Sequence, residues 1–114
     1  MQRDSATLID IYTAANRILD FTAGLEIGTF LEAVDVHSAV LYQFIVMGEA
    51  AARLSEEFRA QHPVAPWRRI VGLRNILIHR YDAVDLNEVW TIVQRDLQPL
   101  VEAIAPLLPR KEGC

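Results

Sequence analysis

The chain has 114 residues, a length that suits one domain with a single core. Hydrophobic residues make up 52% of it, which excludes a disordered chain, and the net charge of -4 argues against a protein that coats nucleic acid over its whole surface. The one cysteine, Cys114, excludes an internal disulfide and favours a reducing compartment. No signal-like segment opens the chain and no apolar run approaches the roughly 20 residues of a membrane span, so we expect a cytoplasmic protein with no membrane contact.

Helical periodicity dominates the chain, and no stretch alternates as a β-strand does. The spacing of apolar residues predicts a first helix over about 5–23, with Asp4 or Ser5 as its N-cap. The segment Thr29–Glu32 has the form of a capping box. It predicts a short second helix that stops near Val34.

The third predicted helix covers about 36–61, with Asp35 as its cap and the proline-containing "QHPVAP" at its end. It carries an apolar stripe at three- and four-residue spacing that consists of Val36, Val40, Phe44, Met47, Ala51, Leu54 and Phe58. A second stripe beside it consists of Leu41, Ile45, Gly48 and Ala52. Burying both stripes within a small chain is difficult, so we interpret the second as a homodimer surface. A wider internal core is the alternative.

The fourth predicted helix covers about 66–79 and opens on a proline. Asp85, followed three residues later by Glu88, caps a fifth helix. The apolar residues of this fifth helix are Leu86, Val89, Val93, Leu97, Leu100 and Ile104. Pro99 should kink or divide it, and the tail after Pro106 should fray. The pattern therefore predicts a single all-α domain, a bundle of about five helices.

One arginine of the fourth helix departs from the pattern around it. On a helical wheel Arg74 falls inside the apolar arc, whereas Asn75 and His79 lie on the opposite side. A guanidinium directed at apolar surface must be paired or must face a cleft, because burying it alone is costly. A structural salt bridge to Glu49 or Glu57 is one interpretation, and a ligand-binding cleft is the other.

The charge pattern around this helix favours a ligand. Between His62 and Tyr81 the chain has no acidic residue and four arginines, which are Arg68, Arg69, Arg74 and Arg80. Such a run is often only a solvated basic face. Here it includes an arginine out of pattern with a histidine nearby, a combination that suggests a ligand bearing phosphate.

The remaining histidines and the tryptophans have simpler interpretations. His37 and His62 are expected to be surface or capping residues, and the three histidines show no metal-ligand spacing, so we expect no metal or other cofactor. Trp67 and Trp90 are expected to be packing residues.

Arg74, four residues, His79, one residue and Tyr81 together resemble the signature of HepT-like proteins in the HEPN superfamily. The segments "GEAAARLSEEF", "PWRRIVGLRNILIHRY" and "VDLNEVW" resemble the same family, and the similarity covers about residues 5–105. The resemblance implies one HEPN-like domain over residues 1–114, an antiparallel bundle that forms a homodimer with two Arg-x4-His motifs in a shared cleft. It also implies a metal-independent endoribonuclease.

This resemblance assigns catalysis to Arg74 and His79. Supporting or RNA-binding roles fall to Asn75, Arg68, Arg69 and Arg80. RNA can be cut without a metal when its 2'-OH attacks the adjacent phosphate, which requires a base, an acid and positive charge on the phosphorane. Histidine can act as acid or base, and arginine supplies fixed charge. One histidine cannot be both in one step, and a two-fold dimer supplies the second copy.

The resemblance further implies a toxin of a type VII-like toxin–antitoxin pair. Its partner would be a nucleotidyltransferase antitoxin of the MntA type, which silences the ribonuclease by adding AMP to Tyr81. A non-catalytic helical dimer that binds a nucleotidyltransferase or nucleotides is the alternative, and a structural dimer without a nucleic-acid role is a third interpretation.

Overall fold

The computed structural model describes residues 2–63 and 65–109, and these contain six α-helices, two short 3₁₀ turns and no β-strand. The helices are α1 (Gln2–Thr22), α2 (Ile27–Glu32), α3 (Val34–Arg53), α4 (Glu56–Gln61), α5 (Trp67–His79) and α6 (Leu86–Ile104). The 3₁₀ turns are Tyr81–Ala83 and Ala105–Leu107. The all-α prediction is confirmed. None of the described helices is long and apolar enough to span a membrane.

The core lies along α3, which packs against α1 on one side and α5 on another, while α6 packs against α1. The first predicted stripe of the third helix is confirmed as core. Its five central members are buried, and Val36 and Phe58 at its two ends pack against the cluster. α3 therefore determines where α5, the helix with the unusual arginine, can lie.

The third predicted helix is in fact two helices, because α3 ends at Arg53 and α4 begins at Glu56. Ser55 caps α4 by accepting a hydrogen bond from the N–H of Phe58 at 3.0 Å. The carboxylate of Asp4 accepts from the N–H of Ser55 at 3.3 Å and from its hydroxyl at 3.1 Å. These hydrogen bonds stabilise the break between α3 and α4. Asp4 lies inside α1 and accepts hydrogen bonds from a distant residue, so it is not the predicted N-cap.

Two other predicted helix starts were wrong. α2 begins at Ile27, and its N-cap Glu26 makes no side-chain capping bond, so Thr29 lies inside the helix. The N-cap of α3 is Ala33, and Asp35 lies in the first turn. An acidic side chain there still favours the helix dipole, which explains why the sequence pattern pointed to it.

The start of α6 was predicted correctly, since the carboxylate of Asp85 accepts from the N–H of Asn87 at 3.0 Å. Pro99 does not divide this helix, which continues to Ile104 with buried residues on both sides of the proline. The predicted fraying of the tail after Pro106 stays a prediction. Leu107 and Leu108 pack against the core. Residues 110–114, with Cys114, lie outside the described residues.

The second stripe of α3 is not the free surface that the sequence suggested. Leu41 is 3% exposed and Gly48 is buried against α5, while Ile45 packs partly against the core. Ala52 alone in this stripe is exposed. The wider internal core is therefore the correct interpretation, because Leu41 and Gly48 are buried within a single chain, Gly48 against α5.

Candidate active site at the contact of α3 and α5

The first side-chain atoms of Arg74, on α5, lie directly against Gly48 of α3. A Cβ atom built on Gly48 would overlap the Cβ of Arg74, and it would lie 2.8 Å from the Cγ of Arg74 and 3.2 Å from the carbonyl oxygen of Ile70. The other glycines that the structure describes have no such neighbour within 4 Å. Gly48 is thus required for the position of Arg74, a role that sequence reasoning missed when it assigned this residue to a dimer surface.

The guanidinium of Arg74 is held at two of its nitrogens. Nη2 lies 3.0 Å from Oε1 of Glu49 in an ion pair, and Nη1 donates to Oδ1 of Asn75 at 2.6 Å. Nε is buried without a hydrogen-bond partner, and the side chain as a whole is 24% exposed. Of the two acids that the sequence offered as partners, Glu49 is the one that pairs. The charged end therefore lies at the surface in a fixed orientation.

His79 is the last residue of α5 and is exposed, as is Asn75 one turn earlier on the same side of the helix. Arg74 and His79 are separated by about 140° around the helix and about 7.5 Å along it, so they do not share a face. Asn75 lies between them in angle and touches Arg74. It connects the fixed guanidinium with the side of the helix that carries the histidine.

Tyr81 lies directly beyond the helix, in the 3₁₀ turn Tyr81–Ala83, and it is 53% exposed. Arg80 is the C-cap residue of α5 and is also exposed. Within the described part of the chain, the side chains of His79, Arg80 and Tyr81 form no hydrogen bond or ion pair with other residues. All three are available to a ligand or a modifying enzyme.

The four arginines of the basic segment differ in their environment. Nη1 of Arg69 lies 2.7 Å from Oδ2 of Asp96, which also receives Arg95, so Arg69 ties α5 to α6. Burial raises the pKa of the Asp96 carboxyl, but hydrogen bonds from Arg95 and Arg69 outweigh it and hold this pKa below its usual range. Arg68, by contrast, is exposed and has no acid within ion-pair distance among the described residues. The RNA-binding role of Arg69 stays a prediction.

Trp67 and Trp90 are packing residues and His62 is a capping residue, as predicted, while His37 is half-buried against α2. Nδ1 of His37 lies 3.2 Å from the carbonyl oxygen of Phe30, and His62 is the C-cap of α4. Trp67 is 6% exposed and donates from Nε1 to the His62 carbonyl oxygen at 2.9 Å, while Trp90 packs on Phe30 with ring centroids 5.0 Å apart. Over the described ranges, no three His, Cys, Asp or Glu side chains lie close enough together to hold a metal ion.

Comparison with known proteins gives a consistent match. A family model described as "Ribonuclease HepT-like" matches residues 11–107. "Putative RNase MJ1380" of Methanocaldococcus jannaschii is 34% identical over 99 residues, which are 87% of this chain and 91% of that protein. "Probable ribonuclease HepT" of Thermococcus cleftensis is 33% identical over 93 residues, which are 82% of this chain and 84% of that protein. No solved structure gives a significant match.

Proposed function

The chain belongs to the HepT-like ribonuclease family, and we propose that it cuts RNA, without a metal ion, at a site built on Arg74 and His79. One observation carries this proposal. The guanidinium of Arg74 is fixed at the surface by Glu49 and Asn75, while His79, about one turn past Asn75, is open to solvent. A fixed cation and an accessible imidazole on one helix are groups of the kinds that phosphodiester cleavage by a neighbouring hydroxyl requires.

The proposed step balances without a co-reactant. An imidazole of His79 takes the proton of the ribose 2'-OH, whose oxygen attacks the adjacent phosphorus. The bond from phosphorus to the 5'-oxygen then breaks, and that oxygen receives a proton from a second, protonated imidazole. The products are a 2',3'-cyclic phosphate and a 5'-hydroxyl. Arg74 stabilises the negative charge that develops on the phosphoryl oxygens.

The second imidazole is proposed to come from a second copy of the chain. Exposed apolar side chains flank the site: Ile78 is 42% exposed and follows Arg74 by four residues, and Tyr42 is 62% exposed and precedes Glu49 by seven. Ile78 therefore lies on the same face of α5 as Arg74, and Tyr42 lies on the same face of α3 as Glu49. A two-fold contact over these residues would bury them and repeat the site next to itself. This surface replaces the second stripe of α3 as the proposed dimer contact.

The test is cleavage of a short RNA by the purified protein in the presence of EDTA. Arg74→Ala and His79→Ala should each reduce the rate by about 100-fold or more, since general acid–base and electrostatic terms each reach this size. The exposed Arg17 of α1 gives a matched control, and Arg17→Ala should cut like the unmodified chain. Full activity of either site variant, or activity that needs magnesium, would contradict the proposal. An intact protein that cuts no RNA would favour the non-catalytic dimer.

We also propose that this ribonuclease is the toxin of a toxin–antitoxin pair and that its nucleotidyltransferase partner, of the MntA type, adds AMP to Tyr81. Two features support this. The Tyr81 side chain is 53% exposed, and it follows His79 by only two residues. AMP on the tyrosine hydroxyl would place a negative phosphate near Arg80 and Arg74, where it would compete with the phosphate of RNA.

A further inference from the structure

A groove adjoins the proposed site, and the resemblance does not assign a role to it as a whole or to its lining residues Arg59 and Gly72. It lies between α4 and the first half of α5 and encloses about 1010 Å³. Its lining includes Arg59 of α4 and, on α5, Arg68, Gly72 and Asn75. We infer that this groove binds the backbone phosphates of the RNA strand next to the point of cleavage. The inference rests on the proposed ribonuclease function and adds to it the path of the substrate.

The direction of the groove supports this role. Arg68, Gly72, Asn75 and His79 are four, three and four residues apart, so they follow one face of α5 within an arc of about 60°. From Arg68 to His79 the helix rises by about 16 Å. The groove wall and the histidine are therefore aligned, and a strand bound along the groove points at His79.

Gly72 leaves the middle of this face of α5 without a side chain. A Cβ atom built on Gly72 would meet no atom within 4 Å, so the space above its backbone is open. An extended ligand that follows this face can pass there close to the helix backbone, from the side chain of Arg68 towards that of Asn75. A long side chain at this position would stand directly in the path.

The charge of the groove indicates a ligand that carries phosphate groups. Arg59 and Arg68 have no acid within ion-pair distance among the described residues, whereas Arg69, also in the lining, is paired with Asp96. Two free guanidiniums therefore face this space, against one acidic residue in the lining, Glu56, in a chain whose net charge is -4. Guanidinium groups bind phosphate oxygens with two parallel hydrogen bonds, which favours this ligand over a simple apolar one.

The groove offers phosphate contacts but no platform for bases. Its aromatic residue, Trp67, is 6% exposed and uses its Nε1 on the carbonyl of His62. Stacking of bases on this ring is thus excluded, and phosphate contacts position a strand without reading its sequence. We expect the groove to raise affinity for single-stranded RNA with little sequence preference.

Binding is tested with an uncleavable RNA of about 12 nucleotides in which every ribose carries a 2'-O-methyl group. Arg59→Ala/Arg68→Ala should raise its Kd by about ten-fold at low salt, and it should reduce the slope of log K against log[salt] by about 1.4, or 0.7 for each lost phosphate contact to a single strand. The matched control is Arg17→Ala/Arg53→Ala, which removes the same charge from α1 and α3 outside the groove. It should stay within two-fold of the unmodified chain.

A cleavage experiment separates this inference from the proposed function. With cleavable RNA of the same length, the groove variant should lose at least ten-fold more in kcat/KM than it loses with a dinucleoside monophosphate, which is too short to occupy the groove. If the unmodified chain cuts neither RNA, the ribonuclease proposal is refuted. The binding experiment still decides whether the groove binds RNA.

The proposed role of the groove is refuted if the groove variant binds the uncleavable RNA as tightly as the control variant does. If that variant also no longer binds the nucleotidyltransferase, the groove is a protein contact instead.

Discussion

Replacing Gly48 by alanine should push α5 away from α3 and misplace Arg74. The added Cβ would overlap the Cβ of Arg74 and lie 2.8 Å from its Cγ, where carbon atoms normally approach to about 3.5–4.0 Å. The carbonyl oxygen of Ile70, at 3.2 Å, belongs to the backbone. Neither this oxygen nor the Cβ of Arg74 can rotate away, because the backbone of α5 fixes the positions of both. The two helices must therefore separate, by roughly 1 Å on these contact distances.

The energetic cost of Gly48→Ala should be modest, whereas the loss of activity should be large. Overpacking a core typically costs about 1–3 kcal/mol, and alanine regains about 1 kcal/mol over glycine inside a helix. We expect a net loss of about 1 kcal/mol, which a domain with about 5–15 kcal/mol of stability tolerates. A catalytic group displaced by about 1 Å can lose about 100-fold in rate. Activity should thus fall far more than stability.

Urea unfolding and the kcat/KM for RNA cleavage measure the two effects of Gly48→Ala separately. Gly28→Ala is the matched control, because a Cβ at Gly28 in α2 meets nothing within 4 Å. It should leave activity unchanged and stability equal or slightly higher. The reasoning is refuted if Gly48→Ala cuts RNA as fast as the unmodified chain, since Arg74 would then tolerate a shifted α5.

Three further predictions concern the charge network, the tyrosine and the dimer. Asp96→Asn should cost about 1–2 kcal/mol at pH 7, because its carboxylate accepts from Arg69 and Arg95. Since this pKa is lowered by folding, the contribution is present above the unfolded value near 3.9, and thermal melts should show the deficit vanishing as pH falls through the folded pKa. Tyr81→Phe should keep its ribonuclease activity but escape silencing, and intact-mass spectrometry after co-expression with the nucleotidyltransferase should find no added AMP; equal modification of the variant would exclude Tyr81 as the acceptor. Tyr42→Arg should shift a dimer to monomer in light scattering without loss of helical circular dichroism, and a monomeric unmodified chain at micromolar concentration would contradict the shared site.

Apolar spacing predicted most of the fold because it records which side of each helix is buried. It could not predict the break between α3 and α4. That break depends on Ser55, which both caps α4 and donates to Asp4, a residue 51 positions away in the chain. A helix pattern that continues from Phe44 to Phe58 contains no trace of such a distant acceptor. The boundary depends on a tertiary hydrogen bond, which can be seen only in the folded chain.

The second stripe of α3 shows the same limit for surfaces. The sequence indicated correctly that Leu41 and Gly48 must be covered, but not whether the cover comes from a second copy or from the same chain. It comes from α5. Arg74, in contrast, could be singled out from the sequence, since its position in an apolar arc requires a partner wherever α5 lies. The choice between Glu49 and Glu57 depended on the helix arrangement.

The ion pair with Glu49 and the proposed contact with RNA are compatible uses of one guanidinium. Arg74 has five N–H donors. One on Nη2 is directed to Glu49, one on Nη1 to Asn75, and the one on Nε is buried. One donor on each terminal nitrogen remains, at the end of a side chain that is 24% exposed, and two such donors suit two oxygens of one phosphate. Glu49 and Asn75 therefore restrict the rotamer before the ligand arrives, so binding RNA costs less conformational entropy than it would with a free arginine. The contact that first looks like an alternative to function is, on this geometry, the means by which Arg74 is oriented for it.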